Sequence, residues 1–511
     1  MAHPVDERSH WKALQYLHSY LSVEGVSRSV IENGTDELLC RQIGTLSPAL
    51  LPIALETVGI LWTRASSDDR LQSLRRNLPF VEVLVLLWER FASDIVVLRP
   101  IIDILRVWSK AKCSKLKTHL IQQVPLLSRV RCSLLREIRL DEVQRVYVAS
   151  LWKDLTLRAS EKDATYLFQR CKDVLFTLCL EQSIAMKEVM SSIFWNLATS
   201  IPRTMADNEQ VLEILQSFFR VDTRCPRGVV ILRNASSALG TMVSAFTTGY
   251  VPELFATQTW IVHGMIHVMS DKTDLDCRRR CLRIVRCLAS CQWGRDLCRE
   301  EPDLVEVLVS RVLRNEQDQL DTRMHASQAL SFLVAQKDFD WNSYGPMIES
   351  SLVESIEKSV KGEKLVLACC KTLCHSIEAS PWNRTTSCFT PQFWRNLDRS
   401  LRGASDDPSL HIGAIEMMSL LADSEGGDGL LVCESALDVL CTLLDTVGPD
   451  YELPRQQSIR QLTLLLKNDS HRKVVVKHER LISTLVNFCI VNRGEAKEEV
   501  KALIVTLVPE L

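Results

Sequence analysis

Five cysteines in a short stretch are the residues whose types most suggest chemistry: Cys277, Cys281, Cys287, Cys291 and Cys298. Structural zinc sites usually take their thiolates from close C-x2–4-C pairs in turns, often together with His. These five cysteines instead lie at helical spacing in an arginine-rich stretch, so we expect buried thiols with no metal and no cofactor. The same interpretation applies to Cys369, Cys370, Cys374 and His375.

Catalytic signatures are absent from the sequence. It contains no H-E-x-x-H, no G-x-S-x-G and no phosphate-binding G-x-x-x-x-G-K-[ST] pattern. No acid–base pair stands out by spacing alone. We therefore expect no catalytic residues, and a protein that is not an enzyme.

Arginines in the same stretch have a spacing suited to binding. Arg279, Arg283 and Arg286 stand at i, i+4 and i+7, which places them on one face of a helix. Such a face could contact an acidic or phosphorylated partner, because guanidinium groups pair with carboxylates and phosphates. The alternative is that these arginines pair with Asp or Glu of a neighbouring structural repeat.

Acidic residues are concentrated between positions 403 and 454, where there is no Lys or Arg. The acidic residues are Asp406, Asp407, Glu416, Asp423, Glu425, Asp428, Glu434, Asp438, Asp445, Asp450 and Glu452. We select Glu416, Asp423 and Asp438 as candidate contacts for a basic peptide segment. From 99 to 145 the chain is instead basic, with eleven basic against four acidic residues. Each charged block could equally be solvated surface that keeps the protein soluble.

Net charge and hydropathy narrow the classes of partner. The net charge of −2 gives no general attraction to nucleic acid or membrane, so we expect protein partners. The apolar stretch 81–88 is too short to span a bilayer. No secretory signal stands at the start, and the cysteines are scattered through helical segments. We expect reduced thiols and a cytoplasmic or nuclear location.

A leucine-centred helix end recurs along the whole sequence. Twelve anchor positions, separated by 40–48 residues, follow this pattern: Leu17, Leu61, Trp108, Leu155, Leu197, Met242, Leu288, Leu333, Leu373, Leu421, Leu466 and Leu507. A period of this size is typical of two- or three-helix solenoid repeats. An apolar i, i+3, i+4, i+7 stripe about 20 residues before several anchors predicts a second helix in each repeat. One such stripe is Val305, Leu308, Val309 and Val312, and two more begin at Leu437 and Ile482.

Several of these segments resemble armadillo repeats. The stretch Phe194-Trp-Asn-Leu-Ala198 resembles the end of an armadillo third helix, and Cys287 to Leu333 resembles one repeat passing into the next. The stretch Gln457 to Val486 is similar. The resemblance covers most of Lys187 to Leu511. It implies third helices that line a concave groove, in which an extended or helical partner binds.

The importin-alpha subclass of that family would carry ladders of Asn and Trp along this groove. Here Asn196 alone matches the Asn ladder, no position matches the Trp ladder, and Arg283 stands at a Trp-equivalent position. An import receptor of that type is therefore not expected. Trp195 and Asn196 remain candidate groove contacts, with ordinary packing as the alternative.

Together these patterns predict one all-α, right-handed α-solenoid of about 11–12 armadillo-like repeats over residues 1–511. We expect divergent repeats in 1–186 and clearer repeats with a C-terminal cap in 187–511. The predicted function is a non-catalytic scaffold or adaptor that binds a partner segment in its groove. The alternatives are a regulatory factor that docks a folded enzyme, chaperone or small GTPase, and a nuclear-transport-type adaptor without the Trp/Asn ladder.

Overall fold

Helices account for the regular secondary structure of this chain, and no strand occurs in the residues that the structure describes. The computed structural model describes residues 7–21, 23, 25–111, 113–135, 140–181, 183–270, 274–315, 318–336, 338–359, 363–379, 389–404, 407–423 and 431–507. The chain divides into two compact units, Met1–Phe255 and Ala256–Leu511. The prediction of an all-α fold is confirmed.

The first unit is a series of helices joined by short connections. Its helices are α1 (Glu7–Tyr20), α2 (Val26–Glu32), α3 (Thr35–Ile43), α4 (Leu51–Arg64), α5 (Ser67–Arg76), α6 (Phe80–Arg90), α7 (Ile95–Lys110), α8 (Ser114–Gln122), α9 (Val124–Leu134), α10 (Glu142–Thr156), α11 (Glu161–Cys179), α12 (Ile184–Ser200), α13 (Pro202–Ala206), α14 (Glu209–Phe219) and α15 (Pro226–Phe246). A short helix, α16 (Glu253–Ala256), lies at the boundary between the units.

The second unit repeats this arrangement. Its helices are α17 (Trp260–Ser270), α18 (Leu275–Ala289), α19 (Gln292–Arg299), α20 (Asp303–Glu306) with the π-helical turn Val307–Leu313, α21 (Leu320–Val334), α22 (Trp341–Glu357), α23 (Glu363–Ala379), α24 (Pro391–Gly403), α25 (Pro408–Asp423), α26 (Glu434–Asp445), the 3-10 turn Pro449–Tyr451, α27 (Glu452–Leu465), α28 (Asp469–Val476), α29 (Glu479–Val491) and α30 (Glu495–Leu507).

The anchor residues lie on helices that form one row in each unit. In the first unit α1, α4, α7, α10, α12 and α15 contact one another in succession, and in the second unit α18, α21, α23, α25, α27 and α30 do the same. We call each row an anchor row. Every anchor from Leu61 to Leu507 is buried, whereas Leu17 is only half-buried. The solenoid repeat predicted from the anchor spacing is confirmed.

A second row of helices packs behind each anchor row. It consists of α3, α6, α9, α11 and α14 in the first unit, and of α17, the π-helical turn, α22, α24, α26 and α29 in the second. Short helices such as α5, α13 and α19 connect an anchor helix to the next second-row helix. In the repeat formed by α11 and α12, residues 157–160 make this connection without a helix. The architecture therefore has two helical layers, with one repeat contacting the next.

Helix starts follow side-chain capping. Ser66, Asp141 and Ser183 each accept a hydrogen bond from a backbone N–H in the first turn of α5, α10 and α12, which satisfies a donor that the helix leaves free. Pro52 lies in the first turn of α4, where its missing N–H costs no intrahelical hydrogen bond. Pro100 instead lies inside α7. The helix starts earlier because Asp94 caps it.

Two of the three apolar stripes predicted for the second helices match the buried residues, and the third is offset by one residue. The stripe in α20 and the π-helical turn, and the stripe in α26, are buried as predicted. In α29 the buried stripe is instead Leu481, Thr484, Leu485 and Phe488, while Val486 is exposed. The predicted stripe started one residue late, at Ile482. One residue turns a helix by about 100°, so this offset alone moves Val486 to the surface.

The longest helix, α15, is long and apolar enough to cross a membrane by length and composition. More than half of the most apolar 18-residue stretch of α15 is buried within the protein, and the helix packs against α12, α13 and α14. Core helices commonly have this length and apolar composition, so the apolar character of α15 is accounted for by packing in the first unit.

We predict that Leu197→Ala lowers the free energy of unfolding by about 2–5 kcal/mol, because it leaves a cavity between adjacent anchor helices. Equilibrium urea unfolding followed by circular dichroism measures this change. Leu180→Ala is the matched control, because Leu180 is 82% exposed, and we expect a change within about 0.5 kcal/mol there. Equal effects of the two substitutions would contradict the anchor role of Leu197.

Candidate partner-binding face

One side of the second unit's anchor row is not covered by the second row of helices. It is formed by α18, α21, α23 and α25, and we call it the ladder face. Its residues stand nine, five and two positions before each anchor: Arg279, Arg283, Arg286, Met324, Gln328, Ser331, Lys364, Ala368, Lys371, Ile412, Glu416 and Ser419. All of these except Ala368 are at least partly exposed. The face therefore offers a repeated, solvent-accessible surface carried by rigid helices.

The arginine-rich stretch divides between this face and the interior. Arg278 Nη1 donates to both carboxylate oxygens of Asp318, each at 2.9 Å. Both side chains are almost fully buried, so this pair joins α18 to the segment just before α21. Arg278 is therefore a structural residue that links one repeat to the next.

The three predicted arginines lie together on the ladder face. Arg279 Nη2 lies 2.7 Å from Asp276 Oδ1, and Arg286 Nη1 donates to Gln328 Oε1 on α21 at 3.2 Å. Arg283, between them, is exposed and has no hydrogen bond or ion pair to any residue that the structure describes. Arg283 is thus a cation directed at solvent, flanked by two positioned guanidinium groups.

Asp276 does not neutralise Arg283. It is shared between Arg279 and Arg280, whose Nε lies 3.1 Å from Asp276 Oδ2. Partial burial favours the neutral acid, but hydrogen bonds from these two arginines hold the pKa of Asp276 below its usual value. The carboxylate therefore stays ionised and remains engaged at the start of α18.

A buried histidine lies beside the arginines. His325 on α21 is 9% exposed, and its Nδ1 has no hydrogen-bond partner within the described part of the chain. Burial lowers the pKa of His325 first of all, and the charges of Arg286 and Arg283 lower it further, against opposing effects of Gln328 and Asp321. His325 is therefore neutral at pH 7, and the positive charge of this part of the face comes from arginine.

The three predicted acidic contacts do not lie together. Glu416 and Asp423 are exposed on α25 at i and i+7, which is the same side of that helix. Asp438 lies on α26 in the second row, where its Oδ1 is 3.0 Å from Arg480 Nη1 and 3.6 Å from His478 Nε2. The acidic block therefore splits into an exposed part and a paired part.

Arg480 is the residue that sequence reasoning missed. It lies outside the acidic segment, yet it also stands 3.8 Å from Asp445 and 3.9 Å from Asp398. The signal that could have found it is the period, because Arg480 follows Asp438 by 42 residues, one repeat later. Three residues of the acidic block, Asp406, Glu425 and Asp428, lie outside the described residues.

The basic block from 99 to 145 is largely paired in the same way. Arg106 Nε lies 2.7 Å from Asp154 Oδ2, and Arg131 Nη2 lies 2.6 Å from Asp173 Oδ2. Arg145 pairs with Glu181 at 2.5 Å. Each of these carboxylates lies beyond the block, in the following repeat, so the sequence count overstated the free positive charge.

Asn196 and Trp195, on α12 of the first unit, have different roles. Asn196 Nδ2 donates to the Lys153 carbonyl and to Thr156 Oγ1 on α10, both at 3.1 Å. The amide therefore joins two successive anchor helices, and these bonds occupy it. Trp195 is 39% exposed and remains a predicted contact.

The clustered cysteines are mostly core residues. Cys277, Cys281, Cys291 and Cys298 are buried, and burial raises the pKa of Cys281 and of Cys298 to about 12. Among the described residues, no group of three or more His, Cys, Asp or Glu side chains could hold a metal ion. Burial therefore favours the protonated thiol at Cys281 and Cys298 at neutral pH.

Arg278 is buried in an ion pair and Arg283 is exposed, so their substitutions should differ in their effect on stability. We predict that Arg278→Ala lowers the free energy of unfolding by about 3–5 kcal/mol, because it leaves the Asp318 carboxylate buried without its partner. Arg283→Ala is the matched control, with an expected change within about 0.5 kcal/mol. Urea unfolding measures both, and a mild effect of Arg278→Ala would contradict the buried pair.

The position of His325 can be tested by titration. Because its pKa in the folded protein is lowered, its contribution to stability is complete above the unfolded value of about 6.5 and is lost as the pH falls below that value. We predict that Arg283→Gln raises the pKa of His325, since it removes a nearby positive charge. Histidine-selective NMR titration measures it, with Arg224→Gln as control. An unchanged pKa would contradict the placement of Arg283 beside His325.

Comparison with known proteins supports the fold. No family model and no curated protein matches this sequence. An engineered protein of known structure is similar with a TM-score of 0.54 and 12% identity, over 93% of this chain and 98% of that chain. A structure from work on a phosphorylation switch between cadherin and beta-catenin has a TM-score of 0.54 and 13% identity, over 98% of both chains. At this identity the likeness establishes an all-helical solenoid fold and nothing about function.

Proposed function

We propose that this chain is a non-catalytic scaffold or adaptor that binds a segment of a partner protein along the ladder face. The observation that carries the proposal is Arg283, an exposed guanidinium without a hydrogen bond or ion pair to any described residue, on a face that repeats from helix to helix. Arginine is enriched at binding hot spots because one planar group makes several charge-assisted hydrogen bonds.

An exposed aromatic side chain lies on the next helix of the same row. Phe332 on α21 is 41% exposed, one position before the anchor Leu333. Aromatic and arginine side chains together are typical of the energetic centre of a protein interface. The helices that carry them are packed against their neighbours, so little conformational freedom is lost when a partner binds.

We place the protein in the cytosol or nucleus as part of this proposal. Supporting it, no disulfide links the cysteines that the structure describes, and most of these cysteines are buried in helical packing. Reduced core thiols are the usual state of cysteine in those compartments.

We predict that Arg283→Glu and Phe332→Ser each weaken binding of the principal partner by at least about tenfold, or about 1.4 kcal/mol. Partners are isolated from native lysate with the full chain and quantified by mass spectrometry, and their affinity is then measured with purified protein. Arg224→Glu is the matched charge reversal, because the Arg224 side chain is 91% exposed at a turn of the first unit. It should leave the partner bound.

One result would contradict binding at the ladder face. If partners are retained by both variants and their binding resists high salt, the ladder face is not the docking site, because exposed charge pairs are screened by salt. A large salt-insensitive interface with one folded partner would instead favour a regulatory factor.

A further inference from the structure

We infer that the occupant of the ladder face is an extended peptide segment of mixed charge, with anionic residues bound at α18 and a cationic residue bound at α25. This inference rests on the proposed function and adds the chemistry of the partner to it. It follows from where free charges of each sign remain once the ion pairs within the protein are accounted for.

The basic end of the ladder face is at α18. Arg283 and Arg286 have no carboxylate partner among the described residues, since Asp276 is held by Arg279 and Arg280. Lys371, exposed on α23, adds positive charge two helices further along the row. A carboxylate or phosphate group of a partner would supply the missing counter-charge, with Arg283 as the more accessible donor.

The acidic end of the ladder face is at α25. Glu416 stands at the position equivalent to Arg283, five residues before its own anchor, and it is exposed. Asp423 lies two turns further along the same side of α25. Neither residue forms an ion pair within the described part of the chain, in contrast to Asp438 with Arg480. These carboxylates match a Lys or Arg of the partner.

Between the two ends the ladder face is uncharged on α21 and carries Lys364 and Lys371 on α23. Phe332 on α21, one position before the anchor and beside the ladder-face residues, is exposed, and Ala368 on α23 is buried at the position equivalent to Arg283. The small side chain of Ala368 allows a peptide to lie close to the helix. An apolar residue of the partner could therefore pack on Phe332 between its charged ends.

Helix spacing sets the length of the segment. From α18 to α25 the row takes three steps, through α21 and α23. Packed helices are about 8–10 Å apart, so the two charged ends are roughly 24–30 Å apart. An extended chain advances about 3.3–3.6 Å per residue. The anionic and cationic residues of the partner should therefore be about eight residues apart.

The test is a selection of random peptides displayed on phage, about sixteen residues long so that they exceed the expected spacing, against the full chain. We expect enrichment of peptides with Asp or Glu about eight residues from Lys or Arg, in one preferred order along the peptide. Fluorescence anisotropy with a synthetic enriched peptide then measures affinity. Glu416→Lys should weaken binding about tenfold, while Asp450→Lys, an exposed charge reversal away from the ladder face, should not.

A charge exchange gives the sharpest readout. The double variant Arg283→Glu/Glu416→Lys exchanges the charges at two equivalent positions without changing the sum of charges, and Arg286 and Asp423 remain in place. Each end then carries one charge of each sign, so the variant should lose the wild type's preference for one order of the charged residues in the enriched peptide. Circular dichroism confirms folding, and both substituted side chains are exposed. A variant with the same order preference as the wild type would overturn the inference.

The outcomes also separate the inference from the proposed function. Enriched peptides that carry only acidic residues, lose binding in Arg283→Glu and keep it in Glu416→Lys would leave the docking face standing and overturn the mixed-charge segment. No enrichment, or enrichment that Arg283→Glu and Phe332→Ser leave unchanged, would overturn the docking face itself.

Discussion

The structure depends on burial of one anchor side chain per repeat between successive helices of the anchor row. A helix pair cannot bury its apolar face alone, so each repeat is stable only when it packs on its neighbours. The anchors Leu61 to Leu507 are all buried in this way, although they include Trp108 and Met242 as well as leucine. The contact tolerates changes in side-chain type because the requirement is apolar volume at a fixed interval.

Polar contacts one repeat apart reinforce this packing. Arg278 bonds Asp318 40 residues later, Arg480 reaches Asp438 from 42 residues later, and Asn196 reaches Lys153 from 43 residues later. Buried polar groups need partners, and in a solenoid the nearest available partner lies in the next repeat. Part of the charge that looks concentrated along the sequence is therefore neutralised across repeats.

The charges left over define the candidate function. Arg283 and Glu416 occupy equivalent positions on α18 and α25, and both remain exposed without an ion pair to any described residue. Arg278 lies on the same helix as Arg283 but is buried, and Asp438 lies on α26 of the second row; both are engaged within the protein. The ladder face thus presents unpaired charges of opposite sign on α18 and α25, and that arrangement favours an ordered segment over general electrostatic attraction.

Period and spacing are local properties of the chain, and they are enough to predict the helical repeat, the anchor positions and the placement of Arg279, Arg283 and Arg286 on one helix face. The tertiary structure decided which charges are free, since pairing depends on which helix faces meet across a repeat. In the folded protein Arg480 pairs with Asp438 of the acidic block, and Asp438 lies in the second row of helices instead of on the candidate face. The tertiary structure also turned Asn196 into a link between anchor helices and shifted the buried stripe of α29 by one residue. A one-residue shift turns a helix by about 100°. The anchor intervals vary by several residues, so they cannot predict which face of a helix is buried.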